Sequence, residues 1–225
     1  MPSPNSNRVL RHPGAKSDER QFESKISVPE NNRRPLIDLL NARLADTIDL
    51  QTQAKFAHWN VKGEDFYQLH LLFDSIAEHV EDAVDLIAER ATALGGRANG
   101  TARQVAANSS IKEYDLNVMH GMDHVRALLD RLSDVANAAR QAIKQCASLE
   151  DDATADVFTE IVRAADKDIY FLQSHLQGGI TTYGHGRCWF SDFSRAQPVR
   201  LSTSAKAVLA NNRQYHNFQA RLCFD

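Results

Sequence analysis

Residues 58–90 read HWNVKGEDFYQLHLLFDSIAEHVEDAVDLIAER, and this stretch decides the fold. Five potential metal ligands stand out in it by their spacing: His58, then His70 and Asp74 four apart, then Asp85 and Glu89 four apart. Residues four apart on a helix share a face, so each of the last two pairs can grip one ion. Asp74 and Asp85 are eleven positions apart, close to three full turns, which puts both pairs on one side of a single helix. At the helical rise per residue, Asp74 and Asp85 stand roughly 16 Å apart and His70 and Glu89 roughly 28 Å. Metal–ligand bonds are only about 2 Å long. The two pairs therefore cannot share a metal within the helix, and each has to find its complement elsewhere.

The economical solution is a second copy of the helix, antiparallel across a two-fold axis near His79 and Val80. That axis sets His70 and Asp74 of one subunit opposite Asp85 and Glu89 of the other, twice per dimer, because isologous contacts are reciprocal. His58, just before the Gly63 turn, reaches the same place from the preceding helix. Two His and three carboxylates without thiolate suit Fe(II) or Mn(II), with zinc as a competitor. The bland alternative is an exposed helix face decorated with acids and histidines.

Working outward, Ile37, Leu40, Leu44, Ile48 and Gln51 recur at three- and four-residue steps and predict an amphipathic helix over 35–61, with Pro35 in its first turn. The ligand-bearing helix is expected over 65–94, ended by Gly95-Gly96, since glycine tolerates the left-handed cap. A crossover over 97–116 carries a short helical piece at 102–107. Apolar residues at 118, 122, 125, 129, 132, 136, 139 and 143 mark a helix over 117–147, and Phe158, Ile161, Ala165, Ile169, Leu172 and Leu176 mark one over 151–177. Four long helices with one long crossover predict an all-α, ferritin-like four-helix bundle. After residue 177 the periodicity stops.

The chain has 225 residues and a net charge of -3, which conceals an asymmetry. Residues 1–35 hold seven Lys/Arg against four Asp/Glu, residues 178–225 hold six against two, and the segment 36–177 between them is left with a net of -10. Three domains follow: a basic flexible arm at 1–35, the bundle at 36–177, and a basic irregular tail at 178–225. No apolar run is long enough to span a membrane, and the N-terminus lacks the apolar core of a secretory signal. Cys146, Cys188 and Cys223 are in no metal spacing and suggest a reducing compartment, so the cytoplasm is expected.

The arm carries Arg8, Arg11, Lys16, Arg20, Lys25, Arg33 and Arg34. It is either a solvated tail or an arm for a polyanion, whose phosphates need no fixed geometry from Lys and Arg. The tail, with Trp189, Phe190, Phe193, Phe218 and Phe224 among scattered arginines, either grips nucleic acid by charge and stacking or is an uninformative extension. Asp152, Asp156 and Glu160 lie four apart at the start of the last helix. Acids there can simply compensate the helix dipole.

The string His58-Trp59-Asn60-Val61-Lys62-Gly63, with Phe66, His70, Phe73, Asp74, Asp85, Glu89-Arg90 and Leu94-Gly95-Gly96, closely resembles the Dps family of mini-ferritins, the DNA-binding proteins from starved cells. The resemblance covers residues 36–177, and all five ligand positions are filled. It implies a di-iron ferroxidase centre between subunits, with Asp74 and Glu89 as the firmest ligands and His58, His70 and Asp85 completing the two sites. It further implies oxidation of Fe(II), preferentially by hydrogen peroxide, a ferric mineral inside a hollow twelve-subunit shell, and sequence-independent binding to DNA in the nucleoid. For Trp59 it implies scavenging of oxidising equivalents, beside the plain alternative of packing at the helix end. For Asp152, Asp156 and Glu160 it implies three-fold pores through which Fe(II) enters. The competing reading is a mini-ferritin that stores iron and removes peroxide without binding DNA.

Overall fold

The five expected helical segments become five helices in the structure, a computed structural model that describes residues 22–177. They are α1 (Glu30–Asn60), α2 (Phe66–Ala93), α3 (Ala102–Asn108), α4 (Gly121–Ser148) and α5 (Asp152–Gln177). α1 packs chiefly on α2 and α4 chiefly on α5, and the two pairs meet through α1 against α4 and α2 against α5. This is a four-helix bundle with a long crossover carrying the short α3, as the spacing predicts. Among the described residues the only bridge of β type is an isolated pairing of Lys62 with His120. No described helix is long and apolar enough to cross a membrane.

Two apolar clusters fill the bundle, one towards each end of α2. The first gathers Leu69, Phe73, Ile76 and Val80 with Leu50, Val125, Leu128 and Leu172. The second gathers Ile87, Ala91 and Leu94 with Leu36, Leu40, Leu44 and Phe158. His70 and Asp74 thus ride over one cluster and Asp85 and Glu89 over the other.

The expectation that residues 1–35 form a flexible arm does not hold for 22–35. Val28 is buried, the Phe22 N–H donates to Gly95 O at 2.7 Å, and Ser24 Oγ donates to Ala93 O at 2.7 Å. Arg33, read as a DNA contact, spends its guanidinium on two backbone carbonyls, Val28 O at 2.9 Å and Ile26 O at 2.8 Å. Those bonds seat the segment and let α1 begin at Glu30, so Pro35 lies inside the helix rather than in its first turn. Gly95, at φ +90°, could not be replaced there, since a Cβ would fall 2.3 Å from Phe22 O. Arg8, Arg11, Lys16, Arg20 and the tail from 178 on lie outside the described residues.

α4 begins four residues later than the expected 117. The Asp115 carboxylate takes the Asn117 N–H at 2.9 Å, a local bond that competes with helix. The crossover is pinned by polar groups of the long helices. Asp46, 2% exposed, accepts from Ser110 N and Oγ, while Arg131 donates to Lys112 O and Glu113 O. A buried carboxylate is tolerated when its oxygens are bonded in this way.

Candidate metal centre

His58 ends α1, His70 opens α2, and the turn between them passes through Gly63 at φ +117°, a conformation open to glycine. The two imidazoles stack with centroids 3.8 Å apart. Each anchors to the other's backbone: His58 Nδ1 lies 2.8 Å from His70 O, and His70 Nδ1 2.9 Å from His58 O. A carbonyl only accepts, so both Nδ1 atoms carry the proton. When the rings are neutral this leaves both Nε2 atoms as lone-pair donors, the arrangement that readies a histidine for a metal.

Asp74 stands beside them, its Oδ1 3.8 Å from His58 Nδ1. Lys55, one turn before His58, donates from Nζ to the same oxygen at 2.5 Å. That bond is the main reason the Asp74 carboxyl lies below its ordinary pKa; burial opposes it, and the charges of His58, Lys55 and His70 each assist by less. Asp74 is therefore ionised, with a cation already at its side. Sequence reasoning missed Lys55, although its spacing from His58 puts both on one face of α1.

The structure brings together His58, His70 and Asp74, and leaves Asp85 and Glu89 apart from them. Both of the latter are exposed on α2. Among the described residues no three His, Cys, Asp or Glu of the single chain converge as a metal cluster. His58, His70 and Asp74 are thus neighbours that do not by themselves make a metal-holding group, and Asp85 and Glu89 lie further along α2. Trp59, next to His58, is 66% exposed and does not pack at the helix end within its own chain. His79 donates from Nδ1 to both oxygens of the buried Asp168 carboxylate on α5, at 3.1 and 3.0 Å.

Asp152, Asp156 and Glu160 are all exposed on the first turns of α5. Asp152 stands in the first turn, where an acid compensates the helix dipole, and its neighbour caps the helix. Asp151 is buried, accepts from Thr154 N at 3.2 Å, and is paired with Arg90 of α2. Of the basic candidates within the described residues, Lys25 is exposed and bonds Glu23 at 2.9 Å, and Arg34 is exposed on the first turns of α1.

The chain is similar to known proteins in sequence and in fold. The family model for the ferritin-like domain matches residues 37–179. A "DNA protection during starvation protein" of Agrobacterium fabrum is 38% identical over 155 residues, covering 69% of this chain and 96% of the relative. A protein so named from Halobacterium salinarum is 28% identical over 163 residues, covering 72% and 90%. Among solved structures, DpsC from Streptomyces coelicolor aligns with a TM-score of 0.67 at 29% identity, covering 70% of this chain and 92% of that one.

Proposed function

This chain belongs to the Dps family within the ferritin-like proteins, and from that premise we propose that it is a ferroxidase. It takes Fe(II) as substrate, oxidises it preferentially with hydrogen peroxide and stores the ferric product in a hollow dodecameric shell. The observation that carries this reading is the locked histidine pair beside an ionised Asp74. His58, His70 and Asp74 hold Fe(II) from one subunit, Asp85 and Glu89 from its two-fold mate. Imidazole and carboxylate suit Fe(II), and the anionic oxygens favour the harder Fe(III) product. Lys55 has to give up Asp74 when the metal arrives, so it balances charge in the metal-free centre.

Within this reading, Asp152, Asp156 and Glu160 attract Fe(II) to three-fold pores, because three copies of each acid focus a negative potential on one channel. The test is stopped-flow oxidation with the full chain, using peroxide or dioxygen as oxidant. Peroxide should act faster and oxidise two Fe(II) per molecule consumed. Asp156→Asn should slow oxidation several-fold at low Fe(II) and little at saturating Fe(II). Failure of the wild type to form Fe(III) would refute the ferroxidase reading, equal oxidation by an Asp85→Ala variant would remove Asp85 from the centre, and unchanged low-iron rates in Asp156→Asn would remove the pore.

DNA protection is the second part of the proposal, with the protein in the cytoplasm and associated with the nucleoid. Basic segments flank a bundle of net -10, and the Debye length of about 8 Å at physiological salt limits how far that bundle repels phosphate. Arg8, Arg11, Lys16, Arg20, Lys25 and Arg34 are the N-terminal contacts, and twelve copies multiply their weak individual attraction. Gel shifts should reveal binding without sequence preference that falls steeply with salt. Deleting residues 1–21 should weaken it at least ~10-fold, and deleting 178–225 as well should abolish it. If residues 22–177 shift DNA as strongly as the full chain, the mini-ferritin reading without a DNA role for these segments replaces this one.

A further inference from the structure

Tyr114, in the crossover, and His124, on α4, form a buried polar pair in the apolar core. His124 is 0% and Tyr114 6% exposed. The phenolic oxygen lies 2.8 Å from His124 Nδ1, while His124 Nε2 has no partner at all. An unpaired buried nitrogen calls for an explanation, and two apolar residues would fill this space without it. Burial pushes the phenol well above its ordinary pKa and the imidazole below its own. At rest both groups are therefore neutral, and the proton stays on Tyr114.

The pair packs against a ring on each of the two helices that carry the candidate metal centre. The Tyr114 ring is 5.2 Å from that of Phe56, which lies between Lys55 and His58 on α1. His124 is 6.3 Å from the Phe73 ring, the residue before Asp74. Two aromatic rings thus join the pair to both helices that carry the histidine half of the centre.

We propose that Tyr114 and His124 are a proton-coupled electron donor to this centre, supplying the second electron when peroxide meets a single Fe(II). The inference rests on the ferroxidase reading above. Peroxide needs two electrons and two protons to become two waters. One electron comes from Fe(II), which becomes Fe(III), and the other from Tyr114. A phenol that has lost an electron is a strong acid, so even a weakly basic imidazole takes its proton. The O–H bond of Tyr114 breaks, an N–H bond forms at His124 Nδ1, and a neutral phenoxyl radical remains beside an imidazolium. The two protons for water come from solvent. A later Fe(II) returns the electron and becomes Fe(III), and the proton goes back from His124 to the phenol. No hydroxyl radical leaves the site even when only one Fe(II) is bound.

The test is freeze-quench electron paramagnetic resonance on the full-length assembled protein, loaded without oxygen at less than one Fe(II) per site and mixed with hydrogen peroxide. A phenoxyl signal should appear, narrow when tyrosine is ring-deuterated, and vanish on adding excess Fe(II). Tyr114→Phe should remove at least nine-tenths of the signal, as expected when the phenol that bears the radical is gone. His124→Gln keeps an acceptor for the hydroxyl but no base, and should lower the yield several-fold with shell assembly intact. Fe(III) formation without a phenoxyl signal overturns the inference alone. So does a signal that persists in Tyr114→Phe, or one that is undiminished in an assembled His124→Gln shell. Failure to form Fe(III) in the wild type overturns the ferroxidase reading beneath it.

Discussion

His70→Ala and Asp85→Ala shells, each inactive alone, are expected to regain about a quarter of the wild-type rate when dissociated, mixed and reassembled. The two residues lie on one helix but over different core clusters, and in the proposed centre each site takes one half from each subunit of a two-fold pair. In a mixed dimer one site carries both defects and the other carries none. Random pairing makes about half of the dimers mixed, which leaves about one site in four intact. The single variants should fall at least ~100-fold, since even residues behind a metal ligand cost 10–100-fold when changed. Rates measured by stopped-flow, with mixed dimers verified by mass, decide the matter. A mixture that stays dead despite mixed dimers refutes the shared site.

Arg90→Ala should destabilise the chain by about 3–5 kcal/mol, the range for removing one partner of a buried ion pair. Arg90 Nη2 donates to both Asp151 oxygens at 2.8 and 2.9 Å, and Nε to Thr154 Oγ1 at 2.8 Å. The side chain of Asp151 is only 3% exposed. Truncating Arg90 strands that carboxylate where the turn into α5 begins. Burial by itself would raise the Asp151 pKa, but the Thr154 and Arg90 bonds and the Arg90 charge together hold it below its ordinary value. The sign follows: this contribution is complete above the unfolded carboxylate value of about 3.9 and is lost as pH falls through the lower folded one. Urea unfolding should therefore show the Arg90→Ala deficit in full at neutral pH and shrinking only in strong acid. A midpoint unchanged at pH 7 would remove the pair from the interactions that secure α5.

The bundle was legible because apolar spacing carries its information locally. Ile37, Leu40 and Leu44, or Phe158, Ile161, Ala165 and Leu172, each mark a buried stripe without reference to any other segment, and all are buried. The ligand spacing was legible for the same reason, since a single helix sets the geometry of His70, Asp74, Asp85 and Glu89. What escaped was contact between distant segments. Nothing local says that Arg33 turns back to Ile26 O and Val28 O, so a basic residue in a polar stretch read as a free cation. Asp151 and Asp152 are adjacent acids, and only the position of Arg90 on another helix makes the first the cap. Tyr114 and His124 are ten residues apart across a helix start, with no periodicity to connect them. Lys55 was within reach, since it shares a face with His58, but attention to metal ligands passes over a residue that cannot be one.

The placement of the two half-sites over opposite ends of α2 has a consequence for the newly made protein. If chemistry needs two chains, activity below the dimer's dissociation constant grows with the square of chain concentration. A subunit fresh from synthesis, or one shed from a damaged shell, is then silent towards iron and peroxide, although its histidines are already set by the carbonyls they hold. In the proposed assembly, oxidation starts only once a second chain is in place, alongside the growth of the compartment that must receive the product. Dilution is the off switch, and it requires no regulator.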